Sequence, residues 1–294
     1  MLENSPEIGG QFETAWLLKA VTCTDLTTLA GDDTSSNVIR LCTKAVNPIS
    51  KEILAKLHEN EIEKKFLYDI TTAAVCVYPS RVPDAVQHLT KLNAKLPVAS
   101  VATGFPSGQY PLSTKLQEIS YCVSQGASEI DVVIDRSLVL AQKWEQLYNE
   151  IKQMKIACGP AHMKTILAVG ECGSFDNIYK ASLVAMMAGS DFIKTSTGKE
   201  SVNATLPVGL VMCRAIRNFH SMTGIKVGLK PAGGIRLCED AINWLKLVKH
   251  ELGSEWLNPK LFRIGASGLL IDIEKRLFYL ANNRQAPSYY FLAI

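Results

Sequence analysis

The chain has 294 residues, 47% hydrophobic and 20% charged, with a formal net charge of +3. That balance suits an ordinary folded chain able to bury a large core, and it excludes disordered and fibrous classes. The charge is too small, and the lysines too evenly spread, for a nucleic-acid footprint, while a small anionic substrate stays open.

Short apolar runs rich in Val, Ile and Thr alternate with segments of helical periodicity, the pattern of βα units around a parallel sheet. The first predicted strand runs from Val21 to Leu26. A connection of about 45 residues follows, with one helical pattern near Val38 to Val46 and a more charged one from Ser50 to Lys65. The charged one reads as surface decoration, within a helical insertion at about 30–68. Further strands are predicted at Thr72 to Tyr78, Val98 to Phe105, Glu129 to Ile134 and Lys164 to Val169. Asp176 is placed to cap a helix that turns Ile178, Ala181, Leu183, Ala185 and Met186 inward, and Gly189 to stop it. Strands at Phe192 to Thr197, Val227 to Lys230 and Phe262 to Ala266 complete the set, with Gly253 ending the helix before the last and a tail from about residue 284. Gly126 to Asp131 echoes Gly189 to Lys194, a weak internal repeat in which a glycine stop feeds a strand. Eight βα units predict an α/β fold, a (β/α)8 TIM barrel in one domain over 1–294 with additional N-terminal helices.

In the sixth strand Phe192, Lys194 and Ser196 share one face, so Lys194 can point into the barrel. An isolated lysine there is more often a snorkelling or salt-bridged residue. Lys230, however, ends the next strand, and consecutive strands of a barrel are neighbours, so the two ammonium groups are expected to meet at the catalytic face. Desolvation and a like charge both depress a lysine pKa. At an ordinary pKa of about 10.4 only around one amine in a thousand is neutral at pH 7.4, and a shift of about 3 units frees roughly half. Asp131 shares a face of the fourth strand with Val133 and is a candidate proton relay, although alone it would more often cap a loop. After the seventh strand comes Pro231-Ala232-Gly233-Gly234-Ile235-Arg236, and the eighth ends in Gly265-Ala266-Ser267-Gly268. Both offer unshielded amides where barrels commonly bind phosphate. Gly198-Lys199 is not a nucleotide P-loop, because Glu200 replaces the required Ser or Thr.

The segments Phe192 to Lys199, Lys230 to Gly234 and Glu129 to Val133, with Cys23 to Thr28, Ala74 to Pro79 and Phe262 to Ser267, resemble the deoxyribose-phosphate aldolases, with a long first connection like that of the eukaryotic branch. The resemblance implies reversible Schiff-base cleavage of 2-deoxyribose 5-phosphate to glyceraldehyde 3-phosphate and acetaldehyde, in deoxyribonucleotide catabolism. It implies Lys194 as the Schiff-base amine, Lys230 as its pKa-lowering neighbour and Asp131 as the proton relay. It also implies Asp25, Thr197, Gly198, Lys199, Gly233, Gly234, Ser267 and Gly268 around the substrate, with phosphate mainly on Gly233, Gly234 and Ser267. The sequence departs from bacterial relatives at Gly268, where they carry a second serine, in the strand-five ending Ala168 to Glu171, and in the tail. There Tyr289 and Tyr290 precede Phe291 to Ile294 in place of a terminal tyrosine. Cys76 matches a strand-two cysteine of the family and reads as a core thiol.

The eight cysteines contain no Cys-x-x-Cys pair and read as reduced thiols. None of the five histidines pairs at metal spacing, so no metal and no cofactor is expected. Leu96 to Thr114, the longest uncharged stretch, is broken by Pro97, Gly104, Pro106, Gly108 and Pro111 and is no membrane span. Met1 to Glu7 lacks the basic start and apolar run of a secretory signal, which predicts a cytoplasmic protein. A phosphosugar is the expected partner, and association into a homo-oligomer is open. Two other readings remain: a Schiff-base aldolase for another phosphorylated sugar, and a non-enzymatic barrel scaffold.

Overall fold

The computed structural model describes residues 11–59, 70–287 and 290–291. Eight short parallel strands alternate with helices: β1 (Thr24–Thr27), β2 (Ala74–Val77), β3 (Val98–Ala102), β4 (Glu129–Val133), β5 (His162–Ile166), β6 (Phe192–Lys194), β7 (Gly228–Lys230) and β8 (Ile264–Ala266). Each pairs with the next in sequence up to β7, and β1 pairs with β8. The seam between β7 and β8 is closed by parallel bridges Leu229–Phe262 and Ala232–Gly265, the Leu229 amide donating to the Leu261 carbonyl at 3.0 Å. The result is a closed (β/α)8 barrel, which leaves no sheet edge unpaired.

Side-chain alternation explains both layers. Val75, Val77, Ile130, Val132, Ile193, Leu229 and Ile264 point outward into the main core beneath the helices. The opposite faces point into the barrel, where Cys76, Ala99 and Val101 make a small apolar cluster. Inward positions on β1, β4, β5, β6 and β7 also carry Asp25, Glu129, Asp131, Lys164, Lys194 and Lys230, all buried, beside the apolar Val133, Ile166 and Phe192. A barrel interior is usually filled by branched apolar residues. Here a layer of charge stands in their place.

The helices are α1 (Gln11–Thr22), α2 (Ser35–Val46), α3 (Lys51–Glu59), α4 (Val82–Lys91), α5 (Leu112–Ser124), α6 (Arg136–Leu140), α7 (Trp144–Cys158), α8 (Phe175–Met187), α9 (Leu206–Thr223), α10 (Cys238–Leu252) and α11 (Leu269–Asn282). Three local expectations need correction. Val21 and Thr22 end α1, which packs on α10 and α11, so the first strand begins only at Thr24. Ser174, not Asp176, caps α8 by accepting from the Asn177 amide, while the inward face holds as expected, with Ser182 buried on it and Leu183 partly buried against the core. The charged segment does more than decorate: α3 packs on α11 and buries Ile53, Leu54 and Leu57, while residues 60–65 of that prediction lie outside the described ones.

The tail bends onto the same region. The Tyr290 hydroxyl donates to Glu52 at 2.9 Å and its ring packs edge-on against Phe278 of α11, while Tyr289 lies outside the described residues. All eight cysteines are free, and all but Cys238 are buried. Among the described residues no helix is long and apolar enough to cross a membrane, and no group of His, Cys, Asp or Glu is placed to hold a metal ion.

Candidate active site

Register brings the charged side chains together. Asp131 of β4 pairs with Lys164 of β5, and Lys194 of β6 pairs with Lys230 of β7. Because these residues sit at matching heights on inward faces, their side chains converge on one point inside the barrel. Lys194 Nζ and Lys230 Nζ both donate to Asp131 Oδ2 at 2.7 Å, and Lys164 Nζ donates to Oδ1 at 2.9 Å. Lys164 also pairs with Glu129 at 2.5 Å and Lys230 with Asp25 at 2.5 Å. Arg263, just before β8, closes the network from below by donating to Asp25 at 2.6 Å and to Glu129 at 2.8 Å.

These contacts set the protonation of each group. Burial is the largest influence on Lys194 and pulls its pKa below the ordinary lysine value, Lys230 acting in the same direction while Asp131 opposes both. Burial also acts against charge on Lys230, yet Asp131 and Asp25 outweigh it and hold that ammonium above its ordinary value. Burial would raise Asp131, but Lys164, Lys194 and Lys230 keep its carboxyl well below the usual range. The two strand-end lysines are therefore not simply a pair of repelling charges. A shared carboxylate separates their roles: Lys230 has two acidic partners and Lys194 has one. Cys76 faces the same interior, and burial raises its thiol pKa, so it stays protonated.

Above this layer opens a cavity of about 770 Å³ at the carboxyl ends of the strands. Lys194 lines it, and so do Thr197, Gly198, Lys199, Gly233, Gly234, Ser267 and Gly268. Asp25, Asp131 and Lys230 lie beneath the cavity rather than on its wall, each fully buried. Asp25, which the resemblance placed around the substrate, thus meets Lys230 and Arg263. The amides of Gly233 and Gly234 find no acceptor among the described residues, and both glycines take positive φ, +86° and +84°, which turns consecutive amides into a concave cradle. Helix α11 starts next to the same wall, with Gly268 at its N-cap, and adds the positive end of its dipole. The cavity therefore combines a neutralisable amine at its floor with an anion cradle at its rim.

Sequence reasoning missed Lys164, Glu129 and Arg263 in the charge layer, and Thr27, Thr28, Arg236 and Lys275 on the cavity wall. Glu129 and Lys164 were legible by parity, since Glu129 shares a strand face with Asp131 and Lys164 opens the predicted fifth strand. Lys275 gave no signal, because its approach to the site depends on how α11 sits on the barrel.

The model of the DeoC/LacD family aldolases matches residues 19–270. The deoxyribose-phosphate aldolase of Homo sapiens is 60% identical over 276 residues, 94% of this chain and 85% of that protein. That of Mus musculus is 61% identical over the same shares. Among solved structures, a Toxoplasma gondii ME49 chain superposes with TM-score 0.76 at 22% identity, covering 92% of this chain and 97% of that one. The tetrameric deoxyribose phosphate aldolase of Aeropyrum pernix gives 0.65 at 20% identity over 92% and 98%. At those identities the structures speak for the barrel alone.

Proposed function

The chain belongs to the DeoC/LacD family of aldolases, and on that footing we propose that it reversibly cleaves 2-deoxyribose 5-phosphate to glyceraldehyde 3-phosphate and acetaldehyde through a Schiff base on Lys194. The observation that carries this reading is one lysine, 2% exposed, which lines the cavity and whose pKa is lowered by burial and by Lys230.

Neutral Lys194 attacks the C1 aldehyde of the open-chain sugar, and loss of water leaves a protonated imine. A base takes the proton from the C3 hydroxyl, the C2–C3 bond breaks, and its electron pair enters the imine to give an enamine as glyceraldehyde 3-phosphate departs. Protonation of the enamine at C2 and hydrolysis release acetaldehyde and restore the amine. Asp131 touches Nζ of both Lys194 and Lys230, so it is placed to relay protons at the nitrogen during imine formation and hydrolysis. Lys230 stays charged, which lowers the Lys194 pKa and favours the neutral nucleophile. The phosphate rests on the free amides of Gly233 and Gly234 with the hydroxyl of Ser267, and Lys199, Arg236 and Lys275 supply positive charge around the same cavity. Gly268 contributes backbone only, so the serine that bacterial relatives use there has no side-chain replacement at that position.

Trapping with acetaldehyde and borohydride, followed by mass spectrometric mapping, tests the assignment. An adduct on Lys194 supports it, and an adduct elsewhere, or none, defeats it.

A further inference from the structure

The segment joining β6 to α9 carries a device that the chemistry above does not use. The Thr197 amide donates to both carboxylate oxygens of Glu200 at 3.0 and 3.1 Å, and the Gly198 amide donates to the second oxygen at 3.1 Å. The Glu200 carbonyl accepts in turn from the Asn203 side chain at 2.8 Å. Asn203 lies against Gly233, where an added β-carbon would stand 2.7 Å from the Asn203 carboxamide oxygen. That oxygen is buried and has no hydrogen-bond partner among the described residues, so it meets Gly233 by packing, while the amide nitrogen of the same side chain is bonded to Glu200. On the other flank Gly170, after β5, leaves no room for a β-carbon against the Val202 carbonyl. Residues 200–203 therefore form a wedge that touches the loops after β5, β6 and β7 together.

We propose that Glu200 and Asn203 are positioning residues that hold the sugar-facing loop after β6 at a fixed distance from the phosphate cradle after β7. The inference rests on the aldolase reading, since that reading is what gives the two loops a common substrate. With its two amides engaged by Glu200, the loop cannot offer them to phosphate, and it presents the Thr197 and Lys199 side chains instead. Lys199 Nζ donates to the Leu29 carbonyl at 2.9 Å, so the loop after β1 is tied in as well. Gly198, at φ +85°, would otherwise be the pliable point of the loop. An acceptor that is a carboxylate makes shorter, stronger bonds to amides than a neutral one, and a glutamine keeps one acceptor oxygen of similar shape.

Steady-state kinetics of Glu200→Ala, Glu200→Gln and Asn203→Ala test this, each with borohydride trapping of acetaldehyde as a reference that needs neither loop. Glu200→Ala should lower kcat/KM for the phosphorylated sugar by roughly tenfold to a hundredfold, the effect of a small misplacement, with trapping unchanged. Glu200→Gln should restore most of the loss, and Asn203→Ala should fall between. If Glu200→Ala does not fold, the contrast between Glu200→Gln and Asn203→Ala decides, and wild-type kinetics in Asn203→Ala overturn the proposal. Equal losses of trapping and turnover in Glu200→Ala also overturn it, because they show general damage. A wild type that neither cleaves the sugar nor traps acetaldehyde overturns the aldolase reading and this inference with it, whereas a fully active Glu200→Ala overturns the brace alone.

Discussion

Lys194 and Lys230 face each other in strand register and reach the same oxygen of one carboxylate, Asp131 Oδ2, at 2.7 Å each. The layer around them sets three carboxylates, Asp25, Glu129 and Asp131, against four basic groups, Lys164, Lys194, Lys230 and Arg263. A neutral Lys194 leaves three against three. Uncompensated charge in a buried site is costly, so the proton is most readily released by the lysine with the fewest acidic partners. Under the proposed mechanism the nucleophile is thus selected by how the cluster divides its carboxylates and not by strand position alone.

Lys194→Met should abolish both turnover and the borohydride adduct while the barrel stays folded, since methionine fills the same space and removes the surplus positive charge. Lys230→Met should retain a measurable adduct on Lys194. Trapping that persists in Lys194→Met and vanishes in Lys230→Met reverses the two assignments.

Lys230→Leu removes a cation whose presence lowers the Lys194 pKa. The Lys194 pKa should rise, so the neutral fraction at pH 7 falls and returns as the pH is raised. Adduct yield measured from pH 7 to about 10, the range in which lysine titrates, should therefore show a deficit that narrows with pH. A deficit constant across that range would mean that Lys230 acts by shape or contact and not by charge.

Much of this was legible in the chain. The eight strands stood out as short runs rich in Val, Ile and Thr between segments of helical periodicity, parity turned Lys194 inward and set Asp131 on one face with Val133, and Lys230 followed from its place at the end of the neighbouring strand. The predicted strands overran at Phe105 and Thr197 because the runs that form the ladder continue into the loops that carry the cavity, and composition does not mark where pairing stops. Val21 and Thr22 read as strand, yet contacts of α1 with α10 and α11 hold them in a helix, and such contacts come from sequence-distant partners. The same limit hid the charge layer as a whole. Parity showed which residues point inward, while the pairing of Asp131 with Lys164, and the reach of Arg263 to Asp25 and Glu129, depend on register between strands.

Asp131→Asn keeps the shape of the side chain and removes its charge and its capacity to take up a proton. Turnover should drop by about a hundredfold to ten-thousandfold, the usual contribution of a positioned acid or base. Adduct formation in a long incubation should fall less than turnover, since it needs one passage through the imine and not repeated cycles. Equal losses in both would count against a relay role.

Arg263→Met strands Asp25 and Glu129 in the interior without their shared guanidinium. Removing one partner of a buried ion pair typically costs about 3–5 kcal/mol, so unfolding in urea at pH 7 should show a loss of that order. The sign of its pH dependence follows from the two carboxyls. Despite burial, Arg263 and the neighbouring lysines hold Asp25 and Glu129 below their ordinary values. The stability this confers is present above the unfolded carboxyl pKa of about 4 and is lost as pH falls through the folded values. The gap between variant and wild type should be widest at neutral pH and shrink below about pH 4. A gap that widens in acid would be incompatible with carboxylate pairing as the source of the effect.

Gly234→Val tests the phosphate cradle apart from the chemistry at Lys194. Gly234 takes φ +84°, and an added β-carbon there meets no atom within 4 Å, so the residue has space but not a backbone that a branched side chain adopts readily. Valine must either shift φ, which re-aims the amides of Gly233 and Gly234, or keep it and project two methyl groups beside those amides. Either response spoils an anion site built from N–H groups and leaves the charge layer beneath it untouched. KM for 2-deoxyribose 5-phosphate should rise by about a hundredfold, the loss of one or two charge-assisted hydrogen bonds at about 1.5–3 kcal/mol each. Cleavage of unphosphorylated 2-deoxyribose, already without that binding energy, should change little, and acetaldehyde trapping on Lys194 should not change. Equal losses on the two sugars would place the phosphate elsewhere along the wall, with Lys199, Arg236 and Lys275 the next residues to replace.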